Sequence, residues 1–154
     1  MHALKLSLLA AALLLSPVTA RADGALYEIK KTEPKVAAGG KGTASVTIAT
    51  KSGWHVNAEA PISVALTAPA GIVVPKAKLT RGDLAASSPE SARFDIPFEA
   101  SEPGAKVISC EAKFVICQES ACKPVRETLA LNVEVTPAAA TTPAAAKDKP
   151  HKKK

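Results

Sequence analysis

Two adjoining stretches decide the fold: Lys106–Cys117, KVISCEAKFVIC, and, past the link Gln118-Glu119-Ser120-Ala121, the run CKPVRETLALNVEV from Cys122 to Val135. In the first, alternate positions collect Ile108, Cys110, Ala112, Phe114 and Ile116 on one side, with Val107, Ser109, Glu111, Lys113, Val115 and Cys117 on the other. In the second, Val125, Leu129, Leu131, Val133 and Val135 share one parity, and Cys122, Arg126, Thr128, Ala130, Asn132 and Glu134 share the other. A period of two is the spacing of a strand with one dry face and one wet face. The reading therefore places Cys110 on the dry face and both Cys117 and Cys122 on the wet one.

Working outward, the same alternation runs through Thr43–Thr50, Ile62–Ala68 and Arg93–Glu99, where Phe94, Ile96 and Phe98 share a side. Leu26–Lys31, Gly53–Asn57 and Ile72–Leu79, interrupted at Pro75, are further strand candidates. Turn signals separate them at Ala38-Gly39-Gly40, Ser52-Gly53, Pro69-Ala70-Gly71, Arg81-Gly82-Asp83, Ser87-Ser88-Pro89 and Glu102-Pro103-Gly104. Short strands punctuated this way indicate an all-β, immunoglobulin-like antiparallel sandwich. The Ser, Gly and Pro content of Gly82–Ala92 favours a loop there.

The ends read differently. Residues 1–22 hold Lys5, an apolar run Leu6–Leu15, Pro17 and the small-residue pattern Ala20-Arg21-Ala22, which is the form of a cleaved signal peptide. The apolar run is about half of the roughly 20 residues a membrane span requires, so an exported, soluble, periplasmic protein is expected. Residues 136–154, TPAAATTPAAAKDKPHKKK, hold almost no large apolar side chain and read as a disordered tail. Five lysines against Asp148 in that tail, with Lys5 and Arg21 in the leader, account for the formal net charge of +6, leaving residues 23–135 close to neutral. Such a core, lacking a basic face and an aromatic platform, excludes nucleic acid as a partner. The lysine run reads as a solvated tail, or more sharply as a weak, salt-sensitive contact with anionic surfaces. The domain is read as a monomer with no cofactor.

Three cysteines in an oxidising compartment leave at least one free or paired between chains. A four-residue hairpin loop at 118–121 would set Cys117 opposite Cys122, within disulfide reach. A bridge there closes a very short loop and stabilises the fold little. At an exposed hairpin tip it is, however, open to attack by another thiolate. Lys123 and Arg126 would favour a thiolate and Glu119 oppose it. Cys110 reads as a small buried hydrophobe.

The segment Phe114-Val115-Ile116-Cys117-Gln118-Glu119-Ser120-Ala121-Cys122-Lys123-Pro124 resembles the active-site hairpin of the N-terminal periplasmic domain of the thiol:disulfide interchange protein DsbD and its single-domain relatives. Gly53-Trp54-His55-Val56-Asn57 and Arg93-Phe94-Asp95-Ile96-Pro97-Phe98 resemble other strands of that family. The resemblance implies an immunoglobulin-like sandwich that relays reducing equivalents between a membrane thiol-disulfide protein and thioredoxin-like partners. Cys122 would be the sulfur attacked, Cys117 its resolving mate, and Pro124 the residue holding the chain after it. The family's aromatic-tipped cap loop corresponds here to about Leu79–Ser88, which past Leu79 holds only Leu84 among small or polar residues. Weaker shielding of the cysteines is implied. The membrane conduit and the CxxC module would be separate proteins.

Two other readings stand beside the relay. One is a non-catalytic immunoglobulin-like binding module whose hairpin disulfide is structural. The other is a soft-metal site, for instance for Cu(I), formed by Cys110, Cys117 and Cys122 with His55; the opposite parity of Cys110 opposes it. His55 itself reads as a packed or surface residue, and no nucleophile motif accompanies it.

Overall fold

The structure, a computed structural model, describes residues 26–51 and 53–138. The signal peptide expected at 1–22 and residues 139–154 of the tail expected to be disordered lie outside them. Eleven strands follow in chain order: β1 (Tyr27–Lys31), β2 (Lys35–Ala37), β3 (Gly40–Thr50), β4 (His55–Val56), β5 (Ser63–Thr67), β6 (Ile72–Val73), β7 (Lys78–Thr80), β8 (Leu84–Ser88), β9 (Ser91–Ala100), β10 (Gly104–Gln118) and β11 (Ala121–Thr136). A 3₁₀ turn, Arg81–Asp83, links β7 to β8.

One sheet runs β1-β3-β9, with β6 and β8 both on the far side of β9; the other runs β2-β11-β10-β5-β7, with β4 beside β10. The orders β1-β3-β9-β8 and β11-β10-β5 are those of immunoglobulin strands A-B-E-D and G-F-C. The opening segment serves both layers. Its first strand pairs antiparallel with β3, and after Pro34 its continuation pairs parallel with β11, Val36 opposite Val135. The chain is therefore an immunoglobulin-like antiparallel β-sandwich, as its alternation predicts.

Alternation supplies the core directly. Ala44, Val46 and Ile48 from β3 and Phe94, Ile96 and Phe98 from β9 face Ile108, Cys110, Ala112, Phe114 and Ile116 from β10 and Leu131, Val133 and Val135 from β11, all buried. Removing this apolar area from water, at about 25 cal/mol per Å², is the main stabilising term. Among the described residues no polar or charged side chain is buried, so polar chemistry is confined to the rim and outer faces.

Two strands depart from the sequence reading. Leu84–Ser88, assigned to a loop on composition, pairs with β9 through a register shift between Leu84 and Ala86. It is an edge strand whose residues after Leu84 are exposed, so its small polar side chains cost little in pairing. Lys35–Ala37 is too short to show a period of its own, and its partner lies a hundred residues on. Elsewhere the turn signals do what was expected of them: Gly39, Gly53, Gly71 and Gly104 all adopt positive φ, a region that side chains with Cβ rarely enter.

Candidate functional site

The site lies at the tip of the long β10–β11 hairpin. Gln118 pairs with Ala121, so the connection is a two-residue turn at Glu119-Ser120, tighter than the four-residue loop expected. The register is unchanged by this: Cys117 stands opposite Cys122. Their Cα atoms are 4.0 Å apart and the two sulfurs form a disulfide, at the close spacing of a non-hydrogen-bonded antiparallel pair.

The two cysteines differ in exposure, and here the expectation of two wet-face cysteines is corrected. Cys122 is exposed. Cys117 is 4% exposed, although its parity points it away from the core. Its cover comes from a neighbour distant in sequence: β4 pairs with the end of β10, setting His55 opposite Cys117 and Val56 opposite Ile116. Asn57, just beyond β4, then donates from Nδ2 to Cys117 Sγ at 3.3 Å. A strand face is wet only where nothing further packs on it, and alternation within one strand carries no information about that.

Cys122 is open for a second reason. Strand β2 pairs with β11 only through Glu134–Thr136, so among the described residues the stretch from Ala121 to Val133 forms a sheet edge. Pro124, opposite Val115, has no N–H to offer and blunts that edge against pairing with other chains.

Of the charged residues named from the sequence, Arg126 and Lys123 are placed away from Cys122. Arg126 is four residues from Cys122, about 13 Å along a strand, and faces Glu111, 3.8 Å away. Glu111 is also bound by Lys113 at 2.7 Å, and these contacts hold its carboxyl below the ordinary value, the Lys113 hydrogen bond contributing most. Lys123 takes the opposite strand parity from Cys122.

Cys110 is 1% exposed on the inner face and is a free thiol. Burial pushes that thiol up to about 11, against a smaller opposing effect from Lys31. It lies seven residues from Cys117, about 23 Å along a strand, on the other side of the sheet. This separation removes the three-cysteine metal site, and among the described residues no cluster of three metal-ligating side chains occurs. Cys110 should resist alkylation in the native protein at neutral pH and react fully on unfolding. Cys110→Ala should lower stability by about 1–2 kcal/mol through a small cavity without altering the disulfide; thiol labelling and urea titration check both.

Sequence reasoning missed Asn57 and weighed His55 beside the cysteines only as a metal ligand; both fall in the Gly53–Asn57 stretch, and pairing between β4 and β10 brings them to the cysteines. Beside them, a groove of about 560 Å³ runs between the β4 loop and the β8–β9 turn, lined by His55, Asn57, Glu59, Ser87 and Pro89 among others. The two walls are tied by Val56 N–H donating to the Pro89 carbonyl at 2.7 Å. The stretch expected to correspond to a cap loop is built into the end of β7, the 3₁₀ turn and β8. Arg81 there donates to the carbonyl of Ala60, bracing the turn that follows Asn57.

No protein-family model matches the chain, and no curated protein does. Its structural neighbours are other sandwiches. The non-cellulosomal cohesin from the hyperthermophilic archaeon Archaeoglobus fulgidus is 12% identical, with a TM-score of 0.41 over 73% of this chain and 92% of that one. AggA, the major subunit of aggregative adherence fimbriae type I from Escherichia coli, is 11% identical, with a TM-score of 0.39 over 71% and 94%. The PapD-like domain 7 of human CEP192 is 9% identical, with a TM-score of 0.38 over 85% and 97%. At these identities the likeness concerns fold, not activity.

Proposed function

We propose that the chain is a periplasmic thiol-disulfide exchange module, relaying reducing equivalents through the Cys117–Cys122 pair to or from thioredoxin-like proteins. One observation carries this reading: an exposed cysteine, Cys122, is bonded to a buried one, Cys117, at the tip of an edge hairpin. Exchange requires an attacking thiolate to reach one sulfur while the other leaves. A partner thiolate attacks Cys122 Sγ, the Cys117–Cys122 bond breaks, and Cys117 departs as a thiolate. A second partner thiolate then attacks the partner's own sulfur in the mixed disulfide, releasing Cys122. The partner ends as a disulfide and this chain as a dithiol; the same steps reversed pass the electron pair onward.

The resemblance of Phe114–Pro124 to the DsbD hairpin supports the reading. So does the small structural value of the bridge. It joins residues five apart on strands already paired along fifteen positions, so its loop-closure contribution is at the low end for disulfides.

The measurement that decides between relay and a binding module with a structural disulfide is the equilibrium of the pair with a thioredoxin-like protein. A relay should exchange readily, with a potential near that of thioredoxin, about −270 mV. A value well below about −300 mV, with no reduction by thioredoxin, would leave the binding-module reading in its place.

A further inference from the structure

We infer that Asn57 selects Cys117 as the leaving sulfur by hydrogen bonding to its thiolate, an inference that rests on the pair acting in exchange. The side-chain amide is not free to turn. Asn57 Oδ1 accepts from the backbone N–H groups of Glu59 at 2.8 Å and Ala60 at 2.9 Å. Those two bonds identify the oxygen, because a side-chain N–H₂ has no lone pair for an N–H donor. The nitrogen is thereby left facing Cys117 Sγ at 3.3 Å. The turn is held from outside as well, by Arg81 on the carbonyl of Ala60. The donor is therefore in place before any reaction occurs.

A disulfide sulfur is a weak acceptor and a thiolate a strong, charged one. The Asn57–Cys117 bond accordingly strengthens as the Cys117–Cys122 bond breaks and charge develops on Cys117. An interaction stronger in the product-like state than in the ground state favours that step. Hydrogen bonding to the charged form also lowers the Cys117 pKa against the opposing effect of its burial. No such donor reaches Cys122 among the described residues, so the asymmetry in exposure is matched by one in stabilisation. Attack at the exposed sulfur releases the stabilised one.

Asn57→Asp isolates the donor. The carboxylate keeps an oxygen for the Glu59 and Ala60 amides, so the turn survives, but the N–H facing Cys117 becomes an anionic oxygen. In a Cys110→Ala, Cys122→Ser background Cys117 is the sole thiol, and its pKa can be read from the pH dependence of its Cβ resonance by NMR, without any need for reagent access. Asn57→Asp should raise that pKa by about one unit or more, and Asn57→Ala should raise it less. In the chain with both cysteines, Asn57→Asp should shift the glutathione equilibrium about tenfold toward the disulfide, roughly 30 mV. An unchanged Cys117 pKa in a folded Asn57→Asp protein overturns the inference. A pKa restored by Asp after being raised by Ala also overturns it, since turn support alone would then be the role. Because this titration needs no partner, its outcome is independent of whether the wild-type pair exchanges with thioredoxin.

Discussion

Cys117→Ser should accumulate a mixed disulfide between Cys122 and a thioredoxin-like partner, whereas Cys122→Ser should abolish exchange. In the first variant Cys122 keeps its exposure, so its thiolate can attack the partner's disulfide and displace one of its sulfurs. Resolution from this side then fails, because a serine hydroxyl at 117 cannot supply the attacking thiolate. With a partner stripped of its own second active-site cysteine and supplied as a mixed disulfide with thionitrobenzoate, Cys122 displaces the thionitrobenzoate thiolate, and the adduct should persist on a non-reducing gel and disappear with dithiothreitol. In the second variant the remaining sulfur is the buried one, and exchange requires access. Full activity in Cys122→Ser would remove the role given to the hairpin tip and leave a sandwich whose disulfide is structural.

Phe114→Ala should cost about 3–5 kcal/mol, a large part of the roughly 5–15 kcal/mol that holds a domain of this size together. Its ring is 2% exposed and sits three residues before Cys117 on the inner face of β10. It meets Tyr27 of the opposite sheet edge-on, with centroids 5.2 Å apart and planes at 89°, an arrangement that adds about 0.5–1.5 kcal/mol to burial alone. Tyr27 in turn donates its hydroxyl to Glu127; partial burial first, and then this carboxylate, push the phenol up to about 12. Losing Phe114 thus empties the contact that fastens β1 over the β10–β11 hairpin. Urea unfolding should show the midpoint falling with little change in slope. Val107→Ala, at a position 47% exposed on the same strand, should stay within about 0.5 kcal/mol of wild type. A comparable loss at both positions would show that the inner face had been assigned wrongly.

Residues 43–50, 93–99 and 106–135 declare their faces because each is long enough to show a period of two and packs one side against a continuous core. The inward position of Cys110 and the pairing of Cys117 with Cys122 follow from that parity and from spacing. What parity cannot convey is what covers a face from elsewhere in the chain. The burial of Cys117 and the proximity of His55 and Asn57 all depend on β4, two residues long and some sixty positions upstream. Leu84–Ser88 illustrates the complementary limit: an exposed edge strand needs no apolar alternation, so its composition looks like that of a loop. Lys35–Ala37 has too few residues to display any pattern and is a strand only because β11 is beside it.

The pairing of Val36 with Val135 has a consequence for how the molecule reaches its final form. Closure of the sandwich waits for nearly the whole chain, and topologies dominated by such distant partners fold over milliseconds to seconds. A hairpin needs about 1–10 μs. While the layers are still apart the thiol of Cys110 is uncovered, and any two of the three cysteines could be joined by an oxidant. Disulfide formation, at seconds to hours, is slower than either step, so an oxidant meets a chain whose pairing already sets Cys117 opposite Cys122 and buries Cys110.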